Sequence, residues 1–253
     1  MEKKYFTKLP QITFSFWVMK ICATTLGETA GDLLSMTLNV GYAASSAILL
    51  SFFFATLSAQ LFTKKYQPII YWAVILATST AGTTMSDFMD RTLALGYATG
   101  SLILVMLLIT TLFVWQRTEK SLSVTEIKSK RGELFYWTAI LFSNTLGTAL
   151  GDFLADNSGL GFSGGAILIG SLLAIIVLIY YFTKISRVVL FWFAFVLTRP
   201  FGATFGDLLT KPISKGGLNF GTIGSSAILF AILSFLIVIT IVKLKSPVRN
   251  KTV

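Results

Sequence analysis

The feature that most limits what this chain can become is a motif written four times along its length. Trp17, Trp72, Trp137 and Trp192 are each followed by glycine ten residues later (Gly27, Gly82, Gly147, Gly202). Glycine or serine stands at fourteen (Gly31, Ser86, Gly151, Gly206) and aspartate at fifteen (Asp32, Asp87, Asp152, Asp207). Self-similarity on this scale marks tandem structural repeats. The tryptophans are 55, 65 and 55 residues apart, and the longer interval holds the charged stretch Gln116 to Glu133, so the chain divides into two halves of two repeats.

Each repeat has room for two apolar helices. The second opens near Gly41-Tyr42, Gly96-Tyr97, Gly161-Phe162 and Asn219-Phe220, with the connection in the fourth repeat three residues longer. Hydrophobic residues make up 54% of the chain and charged ones 13%. Apolar stretches of about 20 residues recur throughout, each long enough for roughly 30 Å of hydrocarbon. The expected fold is an all-α integral membrane domain spanning residues 1–253, with eight transmembrane helices. The repeats cover residues 12–63, 68–116, 133–183 and 188–243, with a cytoplasmic linker over 117–132. Two crossings per repeat give all four copies one orientation, so they are parallel and pseudo-symmetric about an axis along the membrane normal.

The formal net charge of +10 raises nucleic acid as a partner, but the positions of the basic residues point to a bilayer instead. Lys3, Lys4, Lys8, Lys64, Lys65, Arg117, Lys120, Lys128, Lys130, Arg131, Lys184, Arg187, Lys243, Lys245, Arg249 and Lys251 fall on one side of this topology, against Arg91, Lys211 and Lys215 on the other. Basic loops face the cytoplasm, which puts both termini there. The basic start runs into the first repeat and so reads as retained rather than as a cleaved signal. A single Cys22 excludes an intrachain disulfide, and the lack of histidine removes the ligands of zinc and copper sites. No cofactor is expected, and any metal would be held by oxygen. Without histidine, and with no nucleophile beside a base at a recognisable spacing, an enzyme is not expected.

Polar residues gather at seven, eleven and fifteen positions after each tryptophan, a four-residue spacing that makes one helical stripe. The first repeat gives Thr24, Glu28 and Asp32, the second Ser79, Thr83 and Asp87, the third Asn144, Thr148 and Asp152, and the fourth Arg199 and Asp207. One reading is packing: small residues let helices approach, and hydroxyls bond across the contact. By the same reading the tryptophans are interfacial anchors. Lys20 snorkels to the interface, and Asp90, Arg91 and Asp156 are solvated in the outer turns. Four aspartates within a bilayer are harder to assign to packing, because each costs on the order of 3 kcal/mol unless paired or hydrated. The functional reading is that they ring a central cavity and, with Glu28, attract a cation. Carboxylates with Asn144, Thr83 and Thr148 nearby suit hard cations such as Mn²⁺, Mg²⁺ or Ca²⁺. Arg199 breaks the symmetry and requires a carboxylate, from another repeat or from a substrate. Pro200 beside it removes a helix hydrogen bond.

The four Trp and Gly-x-x-x-Gly/Ser-Asp blocks resemble a family of bacterial inner-membrane proteins defined by four tandem repeats of unknown function, each with two transmembrane segments and a marked tryptophan. The resemblance spans nearly the whole chain and implies topology, with no catalytic residues to carry over. The expectation is a small secondary transporter of a divalent cation such as manganese, held by Asp32, Asp87, Asp152 and Asp207, with exchange against protons as one form of coupling. The alternatives are a transporter of a small carboxylate or amino-acid-like solute held by Arg199, or a non-transporting scaffold. Expected partners are lipid and the small solute, with no nucleic acid, in a monomer or homodimer.

Overall fold

A computed structural model describes residues 8–127 and 129–245. Lys3, Lys4, Lys128, Arg249 and Lys251, part of the basic side read from the sequence, lie outside the described residues. Eight α-helices account for the described chain: α1 (Phe14–Asp32), α2 (Tyr42–Phe62), α3 (Pro68–Asp87), α4 (Gly96–Glu119), α5 (Lys130–Asp152), α6 (Gly161–Phe182), α7 (Arg187–Thr210) and α8 (Thr222–Lys245). Local chemistry sets the starts. Thr13 and Ser129 accept backbone N–H bonds at the caps of α1 and α5, and Pro68 opens α3, where its missing donor costs nothing. The linker between the halves is shorter than the 117–132 expected, because α4 runs on to Glu119 and α5 begins at Lys130.

The odd-numbered helices form a closed inner ring, in which α1 meets α3, α3 meets α5, α5 meets α7 and α7 returns to α1. The even-numbered helices lie outside, each against the inner helix of the following repeat: α2 on α3, α4 on α5, α6 on α7 and α8 on α1. They expose Phe52, Leu102, Met106, Ile167 and Phe235 to the surroundings. Six helical spans, all but α1 and α5, are long and apolar enough to cross a membrane, which marks a helical membrane protein. Polar content sets the other two apart: α1 carries Lys20, Glu28 and Asp32, and α5 carries Ser143, Asn144, Thr145 and Thr148 between charges at its two ends.

Glycine closes the ring. A Cβ on Gly27 would meet Ser79, one on Gly82 would meet Asn144 and Thr145, one on Gly147 would meet Arg199, and one on Gly202 would meet Thr24, all within about 3 Å. The glycine ten residues after one tryptophan therefore receives the residue seven after the next, around the whole circle. One turn on, Gly31 faces Thr83, Gly151 faces Ala203 and Gly206 faces Glu28. Both contacts keep the same three-residue stagger in the same direction, which is possible only for parallel neighbours.

After the aspartate the first three repeats widen into a turn with i→i−5 bonds: Leu38 N–H to Leu33 C=O at 2.9 Å, Leu93 to Phe88 at 2.9 Å and Ser158 to Phe153 at 3.1 Å. In the fourth, Leu218 N–H reaches Leu208 C=O at 2.7 Å and Phe220 reaches Leu209 at 2.9 Å. This register makes Gly221 the equivalent of Gly41, Gly96 and Gly161, all with positive φ. The connection is therefore five residues longer than in the other repeats, not three. The additional residues loop out around the short turn Ile213–Lys215.

Candidate functional site

The inner helices stack their side chains in layers four residues apart. At the tryptophan end, the residue before each tryptophan is aromatic and buried: Phe16, Tyr71, Tyr136 and Phe191. Each packs on the tryptophan of the next repeat, with Phe16 on Trp72 at 5.7 Å, Tyr71 on Trp137 at 5.5 Å, Tyr136 on Trp192 at 6.5 Å and Phe191 on Trp17 at 5.7 Å. The hydroxyls of Tyr71 and Tyr136 share a hydrogen bond of 2.7 Å. Trp72, Trp137 and Trp192 are buried and Trp17 is half-buried. The tryptophans therefore do not act as interfacial anchors: aromatic stacking across the ring buries them more completely than a lipid headgroup region would.

The next layer holds Lys20, Ile75, Ile140 and Phe195, all fully buried. Lys20 does not snorkel, because its helix turns that face to the ring interior, where the side chain is fully buried. Its Nζ donates to Asn144 Oδ1 at 3.4 Å and sits 4.0 Å from the centre of the Phe195 ring.

Above lie Thr24, Ser79, Asn144 and Arg199, then Glu28, Thr83, Thr148 and Ala203, also buried. Arg199 reaches all three other inner helices. One terminal nitrogen pairs with Glu28 Oε2 at 2.9 Å. The other donates to Thr83 Oγ1 and to Thr148 Oγ1 (2.7 Å), and the two nitrogens also reach the carbonyls of Thr24 and Ser79, while Nε finds no acceptor among the described residues. The same Glu28 oxygen accepts from Thr83 and Thr148 at 3.3 Å. The carboxylate that Arg199 requires thus comes from another repeat, and the guanidinium fills the centre where a cavity was expected. Asn144 turns away from this knot, donating to Thr78 Oγ1 at 2.9 Å.

The four aspartates do ring the far end, each no more than 4% exposed. Two cations, each four residues after an aspartate on its own helix, strap them in pairs. Arg91 forms ion pairs with Asp87 and Asp152, both at 3.0 Å, and Lys211 with Asp32 at 2.7 Å and Asp207 at 3.0 Å. Arg91 is therefore no solvated bystander, and Asp90 is buried beneath it, accepting from Ser86 at 3.2 Å. Asp156 is exposed and accepts from Tyr97 at 3.3 Å. Burial pulls the Lys211 ammonium down, but Asp207 and Asp32 outweigh it and hold its pKa above the ordinary lysine value, so its charge persists at neutral pH. Glu28, Asp32 and Asp207 each place one carboxylate oxygen within 4.8 Å of the others. The three are close enough together to be candidates for converging on one hard cation. Asp87 and Asp152 belong to the other pair.

Reading the stripe only at seven, eleven and fifteen missed Lys20, Arg91, Lys211 and the aromatic layer. The signal was present: the same four-residue step continues to three and nineteen residues after tryptophan, and to the residue just before it.

No curated protein and no solved structure matches the chain. The description Repeat of Unknown Function (DUF347) matches residues 15–66, 70–121, 135–186 and 190–244, four copies that together span most of the sequence. The chain belongs to that family of four-repeat proteins.

Proposed function

We propose that this protein is a small secondary transporter of a divalent metal cation such as manganese. It crosses a bacterial inner membrane eight times with both termini in the cytoplasm, and it has no enzymatic activity. The observation that carries this reading is the charge balance inside the ring. Toward the aspartate end six buried carboxylates (Glu28, Asp32, Asp87, Asp90, Asp152, Asp207) face three cations (Arg91, Arg199, Lys211), with Lys20 as a fourth lower in the ring. An excess of buried acid in a membrane helix bundle is costly unless a mobile positive charge offsets it. The trio of Glu28, Asp32 and Asp207 offers that charge a place, with the Lys211 ammonium as the group an entering ion displaces. The basic loops support the orientation. The inward-facing polar stripe supports crossings by α1 and α5, since their charges are hidden from lipid. Because the ring closes within one chain, a monomer suffices.

The alternative, a carboxylate solute held by Arg199, fits less well, since both terminal nitrogens of that guanidinium are already committed to Glu28, two hydroxyls and two carbonyls. The test is thermal stability of the detergent-purified protein against Mn²⁺, other cations and small carboxylates, followed by flux into liposomes. A ligand of the native state raises the melting temperature. Stabilisation by Mn²⁺ that disappears in Asp32→Asn and Asp207→Asn supports the reading. No shift with any cation would sink it and leave the ring as a packing device.

A further inference from the structure

Lys20 is the residue the cation site does not account for. In the other three repeats its position is apolar (Ile75, Ile140 and Phe195), and the ring packs there without a charge. A lysine in that layer costs on the order of 3 kcal/mol in a membrane helix. Packing does not call for it, because isoleucine at the same place in two repeats fills the same layer. Nor does ion pairing: among the described residues no carboxylate lies within bonding distance of Nζ, which has Asn144 Oδ1 at 3.4 Å and the face of Phe195 at 4.0 Å. The charged and titratable groups around it are few. On α7 there is Arg199, one layer above. On α3 and α5 there are Tyr71 and Tyr136, one layer below, bonded to each other. On α1 itself there are Cys22, whose thiol donates to Leu229 C=O on α8, and Glu28, two turns up and held by Arg199. The lysines of α8 lie at its exposed end.

We propose that Lys20 is the proton-exchanging group of this protein, and that its proton is the one given up when a cation enters. The coupling half of this inference rests on the transport reading above. An ammonium carries three donors and a charge, and meets one acceptor and one ring face here, whereas a neutral amine has one donor fewer to satisfy and no charge to offset. Lysine is suited to such exchange, since its charge, unlike that of arginine, is readily lost when it is buried. When a divalent ion takes the oxygens of Glu28, Asp32 and Asp207, Arg199 loses its counter-charge. The guanidinium then stands uncompensated about 6 Å along the axis from the Lys20 layer. The Lys20 ammonium releases one proton to water and becomes the amine, so the ring gains two positive charges and loses one. Departure of the ion and return of Arg199 to Glu28 restore the ammonium.

Two measurements separate this inference from the reading it deepens. The first is proton release on adding Mn²⁺ to weakly buffered protein, followed with a pH indicator, in wild type, Lys20→Ile and Lys20→Arg. About one proton per bound ion is expected from wild type and none from either variant. Equal release from the variants would overturn the role of Lys20 while leaving cation binding intact. The second needs no cation: the melting temperature from about pH 5.5 to about pH 9.5 for wild type and Lys20→Ile, or Lys20→Met if the isoleucine variant does not fold. The difference between wild type and variant is expected to change across that range as the amine titrates. A constant difference would refute proton exchange at Lys20. Absence of Mn²⁺ binding by wild type would end the transport reading, and the second measurement would still decide whether Lys20 titrates.

Discussion

The two ends of the inner ring follow different rules. At the tryptophan end the four repeats are nearly interchangeable: an aromatic pair in each, and the same stacking from one repeat to the next. Toward the aspartate end only the aspartates remain common. Lysine, arginine and glutamate each enter once in the layers between, and the final straps appear only in repeats two and four. Shape complementarity can be met by four copies of one solution, but a charge copied fourfold, as the aspartates are, needs cations that are not copied, because four like charges around one axis repel. Each buried arginine or glutamate calls for an opposite in another repeat. Sequence divergence among the repeats therefore maps the compensating charges, and identity among them, the aspartates apart, maps packing.

This contrast is sharpest at Arg199. Arg199→Thr, which installs the residue of repeat one, leaves Glu28 buried without a cation. It should cost about 3–5 kcal/mol, read as a large fall in the denaturation midpoint in detergent. Making the ring still more alike should rescue it: in Arg199→Thr with Glu28→Thr both charges are gone, repeat one matches repeats two and three at its eleventh position, and most of the stability should return. Failure of the double variant to recover would mean that the ion pair specifies the ring rather than merely balancing it.

The glycines test the packing rule at the same depth. A Cβ on Gly147 would lie 2.2 Å from Arg199 Cγ, while one on Gly224, on the outer helix α8, meets nothing within 4 Å. Gly147→Ala should cost about 1–3 kcal/mol through overpacking. Gly224→Ala should change stability by less than about 0.5 kcal/mol. Equal effects would show that the inner contacts are looser than the distances indicate.

At the tryptophan end, copying one repeat into another should be mild. Tyr71→Phe installs the residue found in repeats one and four, and it breaks only the 2.7 Å bond to Tyr136. The expected loss is about 0.5–1.5 kcal/mol, because the Tyr136 hydroxyl is left buried, and adding Tyr136→Phe should recover part of it. A loss as large as that of Arg199→Thr would end the distinction between the two ends.

Much of this was legible in the sequence, for reasons the contrast explains. The repeat, the eight helices and the ring of aspartates follow from fixed spacings, which survive without knowledge of which helix neighbours which. The need of Arg199 for an acid from elsewhere was legible because a buried guanidinium, which does not give up its proton, is costly without a counter-charge whatever the pattern around it. That the acid is Glu28 was not, since it depends on the ring closing from α7 back to α1. General habits of long basic side chains place Lys20 in the headgroups and Arg91 in solvent, and Lys211 is read only as one of the few basic residues on the outer side. Their burial follows from belonging to the central stripe, three and nineteen residues after tryptophan. The five-residue insertion in repeat four was misjudged because Asn219-Phe220 mimics the opening of the other outer helices, while backbone bonds from Leu218 and Phe220 fix the equivalence at Gly221.

The smallest effect tests copying where only the backbone conformation matters. Two residues before the glycine that opens each outer helix stand Asn39, Ala94, Gly159 and Asn219, all in the left-handed region. Alanine is the poorest of these choices, since a left-handed conformation costs a residue with a Cβ roughly 1–2 kcal/mol, a cost that glycine avoids and asparagine partly offsets. Ala94 has φ +54° and is exposed, so its methyl group contributes little packing to lose. Ala94→Gly, which copies repeat three into repeat two, should relieve that strain. Part of the gain is lost because glycine loosens the unfolded chain by about 0.4–1 kcal/mol. The net should be a stabilisation of about 0.5–1 kcal/mol, seen as a small rise in melting temperature. Gly159→Ala in repeat three should show the reverse change of similar size, because the two turns share one backbone path and differ at that position only in the side chain the conformation must carry.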